Sequence, residues 1–530
     1  MPGSPWWRDG VIYQIYPRSF QDSNGDGVGD LPGIISRLDY LQWLGVDAIW
    51  LNPITVSPDA DFGYDVADYC NVQAVLGDLH DVDDLIRAAG ERGMRVLLDI
   101  VPNHTSDRHP WFIDARSSRT SRHRDWYVWV DPKPDRSRPN NWVSAFGGPA
   151  WTLDKMTGQY YLHNFLPEQP DLNWWNPEVA DAFDAIYRFW FDRGVAGFRI
   201  DVAHGIVKDR ELRDNPIATK GDPAHVRAVG QRMIYNVERP EVHDVLRHWR
   251  TLANSYTPPR VLLGETYVLD VRNMGRFYGT GDELHLAFNF TYIHAPFQAA
   301  ALAEVVAESE LVIPEVGWPV WTISNHDVPR VMSRWADGDE RKLRCALLSL
   351  LTLRGTPVLY YGDELGMPST SLREQDLQDP MGKRHWPRQP GRDPERTPMP
   401  WRNLPGAGFT EPGVRPWLPI GDAAARNVEQ QRGEADSTLS FVRDLIALRR
   451  TSQDLKSGEY QQLKAPKGVW SWRRGATTAI VMNLSDRQVQ IAGAGGRILI
   501  GTTRSRDGER VDGELQLEPW EGAVCFSAST

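Results

Sequence analysis

Little in this sequence could staple or anchor it. It has only three cysteines in 530 residues, Cys70, Cys345 and Cys525, and no two are closely spaced. An odd, scattered set argues against a disulfide framework and against a Cys-based zinc or iron–sulfur site, so the thiols are expected to be reduced and buried. No apolar run approaches the roughly 18 residues that a membrane-spanning helix needs. The opening MPGSPWWRDG has neither the basic nor the apolar segment of a secretion signal, which makes the cytoplasm the expected compartment and a membrane partner unexpected. Basic residues are not in excess: 59 Lys and Arg against 70 Asp and Glu give −11, with no sustained basic stripe. Nucleic acid is therefore not an expected partner. P-loop, GxGxxG, serine-elbow and HExxH patterns are all missing, which removes the commonest competing chemistries and the usual metal-hydrolase spacing.

What is present is an ordinary globular composition, 41% hydrophobic and 24% charged, with an unusual 22 tryptophans. Flat apolar faces for sugar rings would use such residues, and so would a large aromatic core. Short β-branched runs alternate with amphipathic helical patterns. VIYQIYPRSF (11–20) is followed by PGIISRLDYLQWLG and VDAIWLNP (46–53), then by DVDDLIRAAGERG and MRVLLDIVPNH (94–104). The rhythm resumes at GFRIDV (197–202), VLLGE (261–265), LHLAFNF (284–290), VWTISN (320–325) and TPVLYY (356–361). Eight such units predict a (β/α)8 barrel, which normally takes about 250 residues. The helix before GFRIDV has its own local logic: Asn176 can cap, Pro177 suits the first position, Val179, Phe183, Ile186, Tyr187 and Trp190 share a face, and Gly194 stops it.

The surplus sits in insertions. Residues 1–104 and 173–455 are assigned to the barrel, 105–172 to an irregular inserted domain after strand 3, and 456–530 to a C-terminal antiparallel β-sandwich. A long Pro/Arg-rich loop, about 362–420, follows strand 8.

On such a barrel the active site lies at the carboxyl ends of the strands. Strand 3 offers Asp99, Asn103 and His104; strand 4 Arg199 and Asp201; strand 5 Glu265; strand 7 His326 and Asp327. A single residue of this kind could be a cap or a buried ion pair. Convergence from four strands is harder to explain structurally, because burying carboxylates together costs several kcal/mol. A site that stabilises positive charge uses that arrangement, and one ionised plus one protonated carboxyl is the equipment for glycosidic cleavage.

DIVPNH (99–104), GFRIDVAH (197–204), LGETY (263–267) and SNHDVPR (324–330) resemble, in order and spacing, the four signature regions of glycoside hydrolase family 13, the α-amylase family. QPDLNWWNP (169–177) is similar to its fifth region as found in α-glucosidases and oligo-1,6-glucosidases. The resemblance implies Asp201 as nucleophile, Glu265 as general acid/base and Asp327 as the third carboxylate, with Arg199 keeping Asp201 ionised. It implies His104 and His326 on sugar hydroxyls, Tyr64 as a stacking platform, and Phe146 and Phe165 at the pocket rim. Asp65 and Arg396 match a pair bridged across the blind end of exo-acting relatives. Val202 matches the residue of α-1,6-preferring relatives, although AHGIVKD departs from their usual continuation. No organic cofactor is implied.

The loop DSNGDGVGD (22–30) offers oxygen ligands at alternate positions, Asp22, Asn24, Asp26 and Asp30, with the Val28 carbonyl. Gly33 stands where an EF-hand has its Glu. The resemblance implies one structural Ca²⁺ or Mg²⁺ here. The activity expected is a retaining exo-α-glucosidase acting on a small oligosaccharide or glucoside, as monomer or homodimer. The alternatives are a transglucosylase or a sucrose or trehalose isomerase of the same family, then an endo-amylase or a non-catalytic transporter-associated relative.

Overall fold

The computed structural model describes residues 5–492 and 496–526. Residues 1–4, 493–495 and 527–530, which the expected domain ranges include, lie outside the described residues. The eight expected strands form one closed parallel barrel. They are β1 (Ile12–Ile15), β2 (Ala48–Leu51), β3 (Arg95–Ile100), β4 (Gly197–Ile200), β5 (Val261–Gly264), β6 (Leu286–Phe288), β7 (Pro319–Thr322) and β8 (Thr356–Tyr360). Each pairs with its sequence neighbours, and β8 closes onto β1 through Ile12 opposite Val358. Every strand is shorter than its apolar run, because the ladder ends where the chain turns outward to the mouth.

Side chains alternate across the barrel wall as the two-residue period of a strand requires. Ile12, Ala48, Trp50, Leu97, Val261, Leu263, Val320 and Val358 fill the interior, while Tyr13, Ile49, Leu51, Leu98, Leu262 and Leu359 pack outward against the helices. Two residues further along the same inward rows stand Gln14, Asn52, Asp99 and Glu265, and Arg199 and Asp201 continue the inward row of β4. The apolar plug therefore gives way to a polar layer at the carboxyl end. That change is fixed by strand register.

The helix α1 (Pro177–Asp192) follows its sequence closely: the Asn176 side chain accepts from Glu178 N–H, and Val179, Phe183, Ile186, Tyr187 and Trp190 are buried. Gly194 has φ of 101°, the left-handed exit that favours glycine. The inserted segment is less irregular than expected. It has a helix over Pro110–Ser117 and a three-stranded sheet of Trp129–Val130, Tyr160–Leu162 and Trp151–Leu153. Elements this short leave little periodicity to read.

The C-terminal residues form an antiparallel six-stranded sheet and a two-stranded one. In its strand Thr478–Asn483, Ile480 and Met482 join the core shared with the barrel helices, whereas Val481 faces a separate core with Ile498, Leu515 and Leu517. The tryptophans are mostly structural: Trp50, Trp142, Trp151, Trp190, Trp249, Trp321, Trp470 and Trp472 are among the largest fully buried side chains. Cys345 and Cys525 are buried and Cys70 half-buried, all unpaired. Among the described residues no helix is long and apolar enough to cross a membrane.

Asn176→Ala removes a side-chain cap whose own contacts, the Glu178 N–H and the Asp125 carbonyl, include no residue of the polar layer. It should lower stability by about 1 kcal/mol, read as a lower Tm with kcat/KM unchanged. A loss of activity at constant Tm would contradict a purely structural role.

Candidate active site

Arg199 stands at the centre of the polar layer. It is 2% exposed and lies opposite Asp99 in the strand register. Its Nη1 reaches Asp99 at 2.9 Å and Asp201 at 2.6 Å, and its Nη2 reaches Glu265 at 2.9 Å. Below it the Trp50 ring lies 5.3 Å away, closing the apolar side. Three carboxyl groups thus share one guanidinium, two cations short of neutralising all three as carboxylates. Burial pushes the Asp201 carboxyl up, as does the nearby Glu265, against the pull of Arg199. Burial likewise pushes Asp99 up, to about 7, again opposed by Arg199. Asp99 and Asp201 therefore hold a proton more readily than free carboxylates do.

A second cluster surrounds Asp327. Burial would raise this carboxyl, but His326, Arg392 and Arg396 outweigh it and hold Asp327 below the usual carboxylate range. Arg396 donates from Nη2 to Asp327 at 2.9 Å and from Nε to the His326 carbonyl at 2.8 Å. The Gln14 amide lies 2.9 Å from His326 Nδ1 and donates to Asn52. With Nδ1 accepting, the hydrogen sits on Nε2, which is 2.6 Å from the Tyr64 hydroxyl and 3.2 Å from Asp327. Tyr64 in turn donates to Asp99 at 3.0 Å, linking the two clusters. Its ring lies parallel to His326, 5.4 Å between centres. Burial holds His326 well below its ordinary range and lowers His104 to about 4, so both imidazoles are neutral at pH 7.

The bridge expected between Asp65 and Arg396 is not there. The three hydrogen bonds to the buried Asp65 come from Ser57 Oγ at 2.7 Å and from the Ala60 and Asp61 amides at 3.0 and 2.9 Å. Asp65 shapes the turn that presents Asp61. The ion pair across the pocket is Asp61–Arg392, at 2.5 Å, and Arg392 also holds Asp379 at 2.7 Å and Asp327 at 3.3 Å. Both segments carry the required residue type twice, four positions apart, as Asp61 and Asp65 in DFGYD and Arg392 and Arg396 in RDPER. Composition alone does not say which copy faces the pocket. Arg392 and Arg396 both come from the long loop after β8, folded through short helices at Pro380–His385 and Asp393–Glu395.

Phe146 and Phe165 meet edge to face at 6.0 Å, Phe165 lies 5.1 Å from His104, and the Arg392 guanidinium covers Phe146 at 5.2 Å. The inserted segment therefore walls the side of the site. Lys208 was not singled out by sequence reasoning. It is buried and paired with Asp171 of the fifth-region motif at 2.9 Å, and it also donates to Asn103. This joins the wall to the turn after Asp201. The sequence carries little signal for it, since Lys208 follows the short run GIV and is itself followed by Asp209, Arg210 and Glu211.

Val202 follows Asp201 in the left-handed region, φ 47°, with its N–H on Glu265 at 2.9 Å. Away from the mouth, the 22–30 loop closes on its own oxygens. Asp22 accepts from the Asn24, Gly25 and Gly27 amides and from Thr410, Asn24 from Asp26 N–H, and Asp26 from Val28 N–H. Asp30 accepts from the Ser23 and Gly33 amides and caps the helix Leu31–Ser36. Asp22 thus has donors on all four lone-pair sites, while Asn24, Asp26, Asp30 and the Val28 carbonyl have acceptor capacity left. Among the described residues no group of three or more His, Cys, Asp or Glu is arranged to hold a metal ion. The remaining donors are hard oxygens, chemically suited to Ca²⁺ or Mg²⁺.

Residues 14–458 match the family model described as "Alpha amylase, catalytic domain". A "Probable alpha-glucosidase" of Rhizobium meliloti (strain 1021) is 45% identical over 474 residues, 87% of this chain and 85% of that one. An "Oligo-1,6-glucosidase" of Heyndrickxia coagulans is 36% identical over 496 residues, covering 86% of this chain and 87% of its own. Among solved structures, the alpha-glucosyl transfer enzyme XgtA is 41% identical with a TM-score of 0.92, covering 99% of this chain and 100% of that one. The trehalulose synthase MutB from Pseudomonas mesoacidophila MX-45 is 32% identical with a TM-score of 0.90 over the same shares.

His104 gives this site a measurable acid sensitivity. Its pKa is lower folded than unfolded, so the unfolded chain binds the extra proton between pH 6.5 and about 4 and stability falls as pH drops through that window. His104→Gln should lose less Tm than the parent between pH 7 and pH 4, by up to roughly 3 kcal/mol equivalent. Parallel Tm curves would contradict it.

Proposed function

We propose, since this chain belongs to the alpha-amylase family, that it removes single glucosyl units from the non-reducing end of short oligosaccharides or glucosides with net retention. It is a glycoside hydrolase of the α-glucosidase type. The observation that carries the retaining reading is the sharing of Arg199 by Asp201 and Glu265. Two carboxyl groups held on the two terminal nitrogens of one guanidinium are close neighbours, which favours the short separation of about 5–5.5 Å used in retention over the wider one that leaves room for a water in inversion. Asp201 is the nucleophile. Arg199 orients it and favours its charged form as substrate displaces water. Glu265 protonates the leaving oxygen and then activates the incoming water. Asp327, kept ionised by two arginines, grips ring hydroxyls and complements the developing positive charge.

Asp61 and Arg392 close the end of the pocket, so the chain has nowhere to continue past the first sugar, and they bind its terminal hydroxyls by charge-assisted bonds. Tyr64 supports the ring, with His104 and His326 as neutral hydrogen-bonding groups. Transfer of the glucosyl unit to an alcohol is a second reading, supported by the likeness to an alpha-glucosyl transfer enzyme. Both readings share the same glycosyl-enzyme and differ in how well water is excluded from it. Three unpaired cysteines suit a reducing compartment such as the cytoplasm.

Products from a maltoheptaose-length chain test the closed pocket. Glucose should appear singly from the start, and an early mixture of mid-length fragments would replace this reading with an open cleft. Arg392→Ala strands Asp61 and Asp379 and should lower kcat/KM on maltose or isomaltose on the order of a hundredfold or more. An unchanged kcat/KM would remove Arg392 from the site.

For the 22–30 loop we propose one structural cation, held by Asn24, Asp26, Asp30 and the Val28 carbonyl, with Asp22 closing the turn. A bound ion stabilises the folded chain by mass action. Added Ca²⁺ should therefore raise Tm after chelation while the initial rate stays nearly constant. A Tm insensitive to both would leave the loop held by its own hydrogen bonds alone.

A further inference from the structure

Val202 is held in a conformation that its own side chain disfavours. A β-branched residue at φ 47° is strained, and glycine would meet no such cost. Its neighbours keep it there. The side chain is buried, and its Cγ1 lies 2.8 Å from where a Cβ on Gly205 would stand, so Gly205 makes the room. The next amide, Ala203 N–H, is tied to the Glu265 carbonyl at 3.0 Å. The outcome is that Val202 N–H donates to Glu265 Oε2 at 2.9 Å, the same oxygen that Arg199 Nη2 reaches at 2.9 Å. Among the described residues no donor is aimed at Oε1.

We propose that the Val202 N–H is a positioning group that confines the Glu265 proton to Oε1, the oxygen left for the substrate, and that the backbone strain at Val202 is retained for this purpose. The proposal rests on the assignment of Glu265 as acid/base. An oxygen that accepts two N–H bonds, one from a cation, carries the carboxylate charge; a proton there would point an O–H at two donors. In the first half-reaction the Oε1 proton passes to the glycosidic oxygen as the C1–O bond breaks, and an Asp201 oxygen bonds C1. In the second, water gives a proton to Oε1 as its oxygen bonds C1 and the C1–Asp201 bond breaks. One atom gives and receives the proton, so the carboxyl group need not rotate between the halves.

The charged and titratable groups facing Glu265 are Arg199, Asp201 and Asp99 from the strands, and His204 and Tyr267 from the turns beyond them. Asp327, like Glu265, acts electrostatically on Tyr267. His204 Nδ1 lies 3.3 Å from both the Tyr267 N–H and the Glu265 backbone carbonyl, and it makes no hydrogen bond to the Glu265 carboxyl oxygens.

The test is an amide-to-ester exchange at residue 202, placing 2-hydroxyisovaleric acid there by nonsense suppression. It removes the N–H and keeps the side chain. The acid then holds its proton more tightly, so the alkaline limb of kcat/KM should move up by about one pH unit. On methyl α-glucoside, which needs protonation, kcat should fall about tenfold. On 2,4-dinitrophenyl α-glucoside, which does not, it should change less than twofold. An unmoved limb with equal losses on both substrates overturns the proposal. Glu265→Gln measured alongside separates the two levels, since full activity on methyl α-glucoside in that variant would sink the acid/base assignment itself. Neutron diffraction from the unmodified protein in D2O at acidic pH decides even if the ester does not fold. Deuterium on Oε1 supports the placement, and deuterium on Oε2 overturns it.

Discussion

One guanidinium shared by three carboxyl groups governs the architecture of this protein. Arg199 touches Asp99, Asp201 and Glu265 at the point where the barrel interior changes from apolar to polar. Burying those carboxyl groups without it would cost several kcal/mol each, and even with it the cluster is short of positive charge. That deficit is what a site for an oxocarbenium-like transition state needs: fixed negative charge that requires no reorganisation when positive charge develops on the sugar. The apolar floor under Trp50 strengthens the effect by keeping the local dielectric low.

The surrounding segments complete a pocket around this centre. The loop after β8 delivers Arg392 and Arg396 to the same oxygen of Asp327, Oδ1, and the inserted segment delivers Phe146 and Phe165. Lys208 and Asp171 tie that wall to the turn carrying Asp201. Loops this long are ordered because each is anchored by buried charge pairs and not by apolar packing alone. Loss of one anchor is therefore expected to disturb binding and chemistry together.

The fold was legible in the sequence because its signals are periodic. Eight apolar runs alternate with amphipathic helices, and Asn176, Pro177 and Gly194 bracket one of those helices as their chemistry demands. The carboxylates at the strand ends were legible for the same reason, since register places residues 97, 99 and 263, 265 on one face. What could not be read was the choice between equivalent residues in loops. Asp61 and Asp65, or Arg392 and Arg396, differ only in which way a turn aims them, and that depends on hydrogen bonds to Ser57 and to the 60–61 amides. The φ of Val202 was invisible as well, because β-branched residues are normally excluded from that region. The tryptophan excess pointed toward sugars in part, yet most of the largest rings are buried in the core.

The central claim is that Asp201 and Glu265, close together on Arg199, carry out two displacements at one carbon. The stereochemistry of the first-formed sugar tests it most directly. Proton NMR recorded during early hydrolysis of an aryl α-glucoside should show α-glucose appearing first, followed by slow mutarotation. Initial release of β-glucose would mean a single inverting displacement and would contradict the account.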